Sequence, residues 1–448
     1  MRALARFWGA GNGSLISNAL SMLGAAIVTS GFGAAFWLLA ARLFPGAAVG
    51  FAGASISAMT LLGNAGMLGL GTLLIGELPR QPGEETGLIA TALVATGVAG
   101  AGLGILFVLT APIISHNFSP LAAGIATAGL FMAGVALTSI TAVLDQALIG
   151  LLRGSLQFGR NAVFAATKLG ALVAVGTWLG KGPGTGNAQW LTIYATWLFG
   201  NVASLLVLIG FLVLRGGGSS LRRSRARRDM LRRFGVSALR HHWLNLALQA
   251  PGFALPLVVT ALLSSTENAY FYVASMVASL VFYGPLALVT ALYAVGTRSP
   301  AALAARMRFT LGLALAGGVL VDAVLFVGAD RVLSLFGGAY AAQAAWTLRL
   351  LGLGVFPIII KDHFVAISRI RGKILGTALL ATSGGVLELG LAAAGGIHSG
   401  RLSGLALGWL TALCIEAACM APTVYRALIQ VPDGMSAPAE GDADYRQE

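Results

Sequence analysis

The stretch AARLFPGAAVGFAGASISAMTLLGNAGMLGLGTLLIGELPR, residues 40–80, decides the fold of this chain. It has one cation near its start, Arg42, and another at its end, Arg80. Residues 48–76 between them contain no Lys, Arg, Asp or Glu. Since an α-helix needs about 20 apolar residues to cross the hydrocarbon core of a bilayer, this run predicts a membrane-spanning helix.

The composition extends that prediction to the whole chain. Hydrophobic residues make up 57% of the 448 residues, glycine contributes 61, and charged residues are only 10%, against about 25% in soluble domains. Too few charges are present to cover a soluble surface. The net charge of +13 comes from cations grouped in short segments between apolar runs, which is the pattern of membrane topology. Without a groove-reading motif, we predict no nucleic-acid partner.

Apolar runs divide the chain into twelve predicted spans. We therefore expect an all-α polytopic membrane protein, with two six-helix lobes around a central cavity. The spans are 14–40, 48–76, 87–111, 121–150, 161–180, 189–214, 235–263, 268–296, 303–328, 342–366, 374–396 and 402–427.

Cations also predict the orientation. If both termini lie in the cytoplasm, the outer segments hold only Arg42, Lys181, Arg331 and Arg401, as the positive-inside rule requires. We expect a multi-pass protein of the plasma (inner) membrane, whose first apolar run is a membrane helix and not a cleaved leader. The segment 215–233 has eight Arg and one Asp and is predicted to bind anionic lipid headgroups; a docking site for an acidic partner is the alternative. The tail, 431–448, is predicted to be disordered.

Similar landmarks recur in the two halves at a nearly constant spacing. The first two pairs are 218 positions apart and the third is 219 apart. The pairs are Arg80 with Arg298, Arg153 with Arg371, and Phe51 with Tyr270. We therefore predict two parallel lobes, 1–214 and 234–430, related by a pseudo-twofold axis along the membrane normal, with the substrate site between them.

Two stretches resemble bacterial polysaccharide flippases, the O-antigen or Wzx-type members of the multidrug/oligosaccharidyl-lipid/polysaccharide exporter superfamily. In residues 40–80 the likeness consists of Arg42, Pro45 and Gly50, followed by Leu68-Gly69-Leu70. The second stretch is LDQALIGLLRGSLQFGRNAVFAATKL, residues 144–169, which resembles the turn between the fourth and fifth helices of that family.

The resemblance implies a transporter and not an enzyme. It would move an oligosaccharide on an undecaprenyl-diphosphate carrier from the cytoplasmic to the periplasmic leaflet by alternating access, for biosynthesis of a surface polysaccharide such as O-antigen, lipopolysaccharide or exopolysaccharide. A polymerase or other polysaccharide-assembly proteins would be partners. No cofactor or metal is expected, and a coupling ion, H⁺ or Na⁺, is the one small species implied.

Four cations are candidates for binding the diphosphate in the cavity, because charge inside a membrane is costly and needs a partner or a role. Each has an ordinary alternative. Lys168 can extend to the cytoplasmic interface or pair with Asp145, and Arg42 and Arg349 can anchor at the outer interface. Lys361, with Asp362 and His363, is expected in a cluster at the cytoplasmic mouth of the cavity.

Four acids are candidates for gating or ion coupling: Asp145, Asp362, Glu388 and Glu416. Asp145 is expected to relay a proton or to lock an inward gate against Arg153 or Lys168, with a structural bridge as the plain alternative. Glu388 and Glu416 lie near mid-depth of their predicted helices, where each is either a coupling site or a protonated packing residue.

Three other classes of membrane protein are alternatives to a polysaccharide flippase. An ion-coupled multidrug exporter of the same superfamily also has twelve spans, although it would favour an acidic, aromatic cavity. A major-facilitator carrier is disfavoured because the loop GELPRQPGEETG, residues 76–87, lacks that class's basic motif. A membrane glycosyltransferase or ligase is disfavoured because the predicted outer loops are short, and no nucleophile–base pair is found.

Overall fold

The computed structural model describes residues 31–179, 186–214, 228–296 and 303–429, and their regular secondary structure is entirely helical. Fourteen α-helices are numbered here in chain order. They are α1 Gly31–Leu43, α2 Gly46–Gly66, α3 Leu70–Glu77, α4 Glu85–Ile114, α5 Ile125–Gly150, α6 Gly154–Leu179, α7 Gly186–Leu212, α8 Arg228–Leu262, α9 Ser265–Gly296, α10 Leu303–Ser334, α11 Gly338–Leu353, α12 Val355–Ile370, α13 Ile374–Ser399 and α14 Leu402–Ile429.

These helices confirm the predicted all-helical membrane fold of about twelve spans in two lobes. Within the described residues, ten helical stretches are long and apolar enough to cross a membrane, with α11 and α12 counted together. Of the remaining two predicted spans, the first is described only from Gly31 onward as α1. The fifth is α6, which carries Arg160 and Lys168 among its apolar residues. The chain is a multi-pass membrane protein.

Helices α1–α7 form one lobe and α8–α14 form the other, and the two meet where α2 crosses α9. A Cβ built on Gly50 would lie 2.6 Å from the backbone nitrogen of Ala269, and one on Gly53 would lie 3.0 Å from the ring of Tyr272. Both pairs are 219 positions apart, which is the spacing of the sequence repeat at Phe51. A residue contacts its own repeat mate only beside a twofold axis, so this crossing marks the predicted pseudo-twofold.

The two ends of the helices differ in charge. We call one the low-charge end: it holds the turns between α1 and α2, α4 and α5, α8 and α9, α10 and α11, and α13 and α14. The opposite, cation-rich end holds Arg153 and Arg371 in the turns before α6 and α13. The charge pattern predicts that the low-charge end faces the periplasm.

The lobes are joined by hydrogen bonds at the low-charge end. The Asn268 Nδ2 group donates to the Gly50 carbonyl at 2.7 Å, and Asn117 Nδ2 donates to the Thr260 carbonyl at 2.8 Å. Backbone contact at Gly50 is possible only because glycine has no side chain there. The seam is therefore closed at this end.

The second predicted span is broken inside the sequence Leu68-Gly69-Leu70. Leu68 and Gly69 have φ angles of 52° and 78°, in the left-handed region that favours glycine. A Cβ on Gly69 would also lie 3.1 Å from the Ala238 carbonyl oxygen of α8. Residues 40–80 thus contact the second lobe at both halves of the span.

The structure differs from the predicted spans in several places, including the end of α10 at Ser334 and not at 328. Helix α6 begins at Gly154 and not at 161, and α8 begins at Arg228, inside the predicted Arg-rich linker. The predicted span 342–366 is interrupted at Gly354, between α11 and α12, three residues before Pro357. Lys181, residues 215–227 of the linker and the tail 431–448 lie outside the described residues.

Candidate functional site: a buried lysine among aromatic rings and a charge cluster in the second lobe

Lys168 is a buried cation surrounded by aromatic rings. Its ammonium nitrogen lies 3.6 Å from the centroid of Trp197, 4.5 Å from that of Phe164 and 5.2 Å from that of Phe36. Only 4% of the residue is exposed. Ring faces attract cations through their quadrupole, more strongly away from water. We call these four residues the Lys168 site.

The local sequence builds the Lys168 site from three helices. Phe164 and Lys168 are four residues apart, so they lie on one face of α6. Gly200 lets α7 approach that face, since a Cβ there would lie 2.9 Å from the Lys168 Cβ. Helix α1 adds the Phe36 ring. Among the described residues, no carboxylate lies within ion-pair distance of the Lys168 ammonium.

A row of rings links the Lys168 site to the seam between the lobes. The Trp37 ring of α1 lies 6.4 Å from Trp197 and 4.5 Å from Tyr272 of α9, centroid to centroid. Tyr272 belongs to the second lobe and is half-buried. The buried cation and the lobe interface are therefore connected by aromatic surface.

A second constellation, which we call the charge cluster, consists of Lys361, Glu388 and Glu416 from α12, α13 and α14. The Lys361 Nζ atom lies 2.7 Å from Glu388 Oε1 and 2.8 Å from Glu416 Oε2. All three residues are buried, with exposed fractions of 7%, 4% and 5%. The Trp409 indole N–H donates to the other Glu388 oxygen, Oε2, at 2.8 Å.

The charge cluster differs from the predicted position of Lys361 at a cavity mouth. Helix α12 directs Lys361 toward α13 and α14, so its ammonium is engaged by two carboxylates and is not free to bind an anion. His363 turns the other way, toward Thr310 of α10, at 3.2 Å. Asp362 lies between these two directions and is half-buried. The three neighbours therefore do not form one cluster.

Arg42 lies at the low-charge end, with an exposed side chain. Its Nε and Nη2 atoms donate to the Leu335 carbonyl at 2.9 Å and 2.7 Å. Leu335 lies between α10 and α11 of the second lobe. Arg42 therefore bridges the lobes where they close, and lies apart from the Lys168 site.

Arg349 also points away from the lobe seam. Its Nε atom donates to the Phe326 carbonyl of α10 at 2.9 Å, and its Nη2 atom pairs with Asp330. The guanidinium lies beside the ring of Trp346, which is 58% exposed. These contacts match the interface-anchoring alternative of the sequence analysis.

Asp145 has a different partner from those predicted. Arg160 donates two parallel hydrogen bonds to the Asp145 carboxylate, from Nε to Oδ1 at 2.8 Å and from Nη2 to Oδ2 at 2.6 Å. Such two-point pairing is characteristic of arginine and carboxylate. The pair ties α5 to α6, and Ser204 of α7 accepts a further bond from Arg160 at 3.3 Å. Arg153 and Lys168 are not its partners because Arg160 lies on the face of α6 that meets α5.

Several site residues were missed from the sequence. Arg160 is one of them, and its i+1 neighbour Asn161 also bonds Asp145, at 3.2 Å. Trp409 and the ring set of the Lys168 site were not singled out. Phe164 at i−4 from Lys168 was a usable signal. The Phe36 and Trp197 rings give no such sequence signal, because only tertiary packing brings α1 and α7 to the lysine.

No protein-family profile matches this chain, and no curated protein matches it closely enough to count as a relative. Solved structures do share its fold. An inward-facing multidrug resistance MATE family transporter of the MOP superfamily superposes with a TM-score of 0.70 at 15% identity, over 93% of this chain and 97% of that one.

Two further structures have the same fold. An outward-facing multidrug resistance MATE family transporter gives a TM-score of 0.59 at 15% identity, over 93% of this chain and 95% of that one. A MOP superfamily transporter from Pyrococcus furiosus, whose binding pocket has reverse polarity suggesting a different function, gives 0.59 at 14% identity over the same shares. The chain therefore has the fold of MATE transporters of the MOP superfamily.

Proposed function

We propose that this protein is a flippase. It moves an oligosaccharide on an undecaprenyl-diphosphate carrier from the cytoplasmic to the periplasmic leaflet of the plasma membrane by alternating access. Both termini then lie in the cytoplasm, and polysaccharide-assembly proteins such as a polymerase act on the delivered product. The observation that carries the proposal is the Lys168 site, a buried cation joined to the lobe seam by aromatic rings.

The chemistry of the Lys168 site suits a charged glycan. A diphosphate needs a cation in a cavity shielded from water, and Lys168 is held by rings and not by a carboxylate among the described residues. An incoming anion can therefore approach it without first breaking an ion pair. Sugar rings pack their C–H faces on aromatic faces, and half-buried Tyr272 lies at the seam, with the buried Trp37 ring behind it.

A multidrug exporter of the same superfamily is the second candidate. It is favoured by the fold, which is that of solved multidrug transporters. An exporter of cationic compounds needs a carboxylate facing the cavity, and half-buried Asp362 is the candidate for that role. Lys168 opposes this reading, because its charge repels an organic cation.

The test compares Lys168→Gln with Lys373→Gln, a matched control at an exposed lysine in the turn between α12 and α13. Surface polysaccharide and cytoplasm-facing lipid-linked precursor are measured in the native host, with membrane levels of each variant checked. We expect Lys168→Gln to lower glycan export at least about tenfold, equivalent to about 1.4 kcal/mol, with precursor accumulation, while Lys373→Gln behaves as wild type.

A full deletion separates the two functions. Normal surface glycan in the deletion strain would refute the flippase proposal. Loss of resistance to a cationic dye in that strain, restored by the wild-type gene but not by Asp362→Asn, would then support the exporter.

A further inference from the structure

The charge cluster holds one more negative than positive charge. Lys361 supplies one ammonium, and Glu388 and Glu416 supply two carboxylates from separate helices. Glu388 is fully bonded, with Lys361 on one oxygen and Trp409 on the other. The cluster lies at mid-depth: Glu388 is 14 residues from the start of α13, about 21 Å at 1.5 Å per residue.

Glu416 is the member of the cluster whose bonding is incomplete. The Lys361 ammonium pairs with its Oε2 atom at 2.8 Å, but among the described residues its Oε1 atom has no hydrogen-bond partner. A buried carboxylate oxygen without a hydrogen bond is costly. One added positive charge on Glu416 would remove both the excess negative charge and that cost.

The geometry favours a proton over a metal ion as that added charge. Hard cations such as Na⁺ need several oxygen ligands around one position, and the Lys361 ammonium already occupies the position between the two carboxylates. The space around Glu416 is also closed, since a Cβ on Gly384 would lie 2.5 Å from its Cδ atom. Trp409 offers a donor and not a ligand oxygen.

Other acids and bases on the helices around the cluster have contacts of their own, and buried Asp322 of α10 lies against Gly352 of α11. On α12, Asp362 is close enough to interact with the charges of Lys361 and Arg369. Arg369 is engaged by Asn245 of α8, at 2.7 Å. His363, on the same helix, is bonded to Thr310 of α10.

Helix α8 meets α13 beside the cluster through uncharged residues. A Cβ on Gly385 would lie 3.0 Å from the Pro251 ring and 3.7 Å from the Ala247 carbonyl. No titratable group of α8 therefore faces Glu416 at this contact.

Trp409 connects the cluster to Gly354, the residue of helical conformation where α11 meets α12. Its indole N–H bonds Glu388, and a Cβ on Gly354 would lie 2.6 Å from its ring. Gly354 separates α11 from α12. At the other end of α11, the turn before it contains Leu335, whose carbonyl accepts a hydrogen bond from Arg42 across the seam.

We propose that Glu416 binds a transported proton, with Lys361 as a built-in cation in place of Na⁺, and that Trp409 transmits its occupancy to the hinge at Gly354 and so to the seam. The proton adds to a Glu416 carboxylate oxygen from bulk solvent and returns to bulk solvent on the other side; no other bond is made or broken. This inference names the coupling ion of the proposed transport function and rests on that function.

The experiment uses the full chain in lipid nanodiscs without substrate. Spin labels are attached at His116→Cys and Ala339→Cys, two exposed positions at the low-charge end of opposite lobes. The two native cysteines, Cys414 and Cys419, are changed to alanine in this background. Distances between the labels are measured by pulsed electron resonance, and protonation is followed by the infrared band of carboxylic acids.

In the wild type we expect an acidic and an alkaline distance distribution whose population ratio differs about tenfold, within the range of typical coupling. Exchanging NaCl for choline chloride should change nothing. Glu416→Gln should lose a carboxylic-acid band and give the acidic distribution at every pH. Glu77→Gln, a control at a buried glutamate of the first lobe that is 7% exposed, should keep the wild-type response.

A second variant tests the link to the hinge even if Glu416→Gln fails to fold. Trp409→Phe keeps an aromatic ring at this position but removes the donor to Glu388, so it should keep the carboxylic-acid band and lose the pH response of the distances. Distances that ignore pH in the wild type, a shift caused by Na⁺, or an unchanged pH response in Trp409→Phe would each overturn the proposal. None of these readings depends on the substrate, so the flippase proposal stands or falls separately on glycan export.

Discussion

Replacing Gly50 with alanine tests whether the α2–α9 crossing is a closed gate. The new Cβ would lie 2.6 Å from the Ala269 nitrogen and 2.8 Å from the Ser265 carbonyl carbon, well inside van der Waals contact. The Ser265 carbonyl oxygen would lie closer still, so the two backbones must separate by more than about 1 Å to reach ordinary contact near 3.5–4.0 Å. That separation also weakens the hydrogen bond from Asn268 to the Gly50 carbonyl, 2.7 Å in length.

The cost falls only on the conformer that is closed at the low-charge end. Overpacking typically costs about 1–3 kcal/mol, so the ratio of open to closed molecules at that end should rise about 5- to 150-fold. The label pair at positions 116 and 339 reports this as growth of the long-distance population.

The matched control for Gly50→Ala is Gly102→Ala. Gly102 is an exposed glycine of α4, and an added Cβ there meets nothing within 4 Å. Its distance distribution should be that of the wild type. If Gly50→Ala gave an unchanged distribution, or if Gly102→Ala shifted it as far, the seam would not be the closing contact and the reasoning would be refuted.

Three further changes have defined outcomes. Arg160→Met should lower the free energy of unfolding by about 3 kcal/mol, the lower end for breaking a buried pair, because the partly buried Asp145 carboxylate keeps only its bond from Asn161; adding Asp145→Asn should recover most of that loss, as measured by unfolding in increasing SDS. Gly69→Ala should cost about 1–2 kcal/mol in the same assay, because alanine is strained at its φ of 78°. Arg42→Ala removes both bonds to the Leu335 carbonyl and should raise the long-distance population about 5- to 10-fold, at about 1 kcal/mol for the net loss.

Each of the three has a contrary outcome. Equal losses in Arg160→Met and in the double variant would mean that the cost is packing and not charge. Wild-type stability of Gly69→Ala would mean that the α2–α3 break tolerates an ordinary residue. An unchanged distance distribution in Arg42→Ala, with Arg331→Ala as the control at another exposed arginine near that end, would remove Arg42 from the gate.

Much of the fold could be predicted because lipid offers no hydrogen-bond partners to an exposed backbone. Every backbone group must be satisfied within its own helix in the hydrocarbon core, so apolar length alone locates the spans. The twelfth predicted span, 402–427, compares with α14 at Leu402–Ile429. Gly50 and Gly53 of α2 contact residues 219 positions further along, which is the repeat spacing at Phe51.

The sites were less predictable because a charge in a membrane helix says that a partner exists but not which one. Glu388 and Glu416 stood out as costly mid-depth acids, yet Lys361 was expected at a cavity mouth. The direction of a side chain depends on how its helix is rotated against its neighbours. That rotation at α12 is fixed by packing at Gly354 and Trp409, which are 55 positions apart.

The sequence by itself determined that lipid surrounds most of the chain, that the fold is helical, roughly where the spans lie and that two lobes repeat. Each follows from hydrophobic length and from landmarks that recur along one chain. Only the tertiary structure decided the partners: Arg160 for Asp145, aromatic rings for Lys168, and two glutamates for Lys361. The reason is physical: in a protein where apolar helices look alike to lipid, pairing depends on where small residues such as Gly200, Gly384 and Gly354 let neighbouring helices approach.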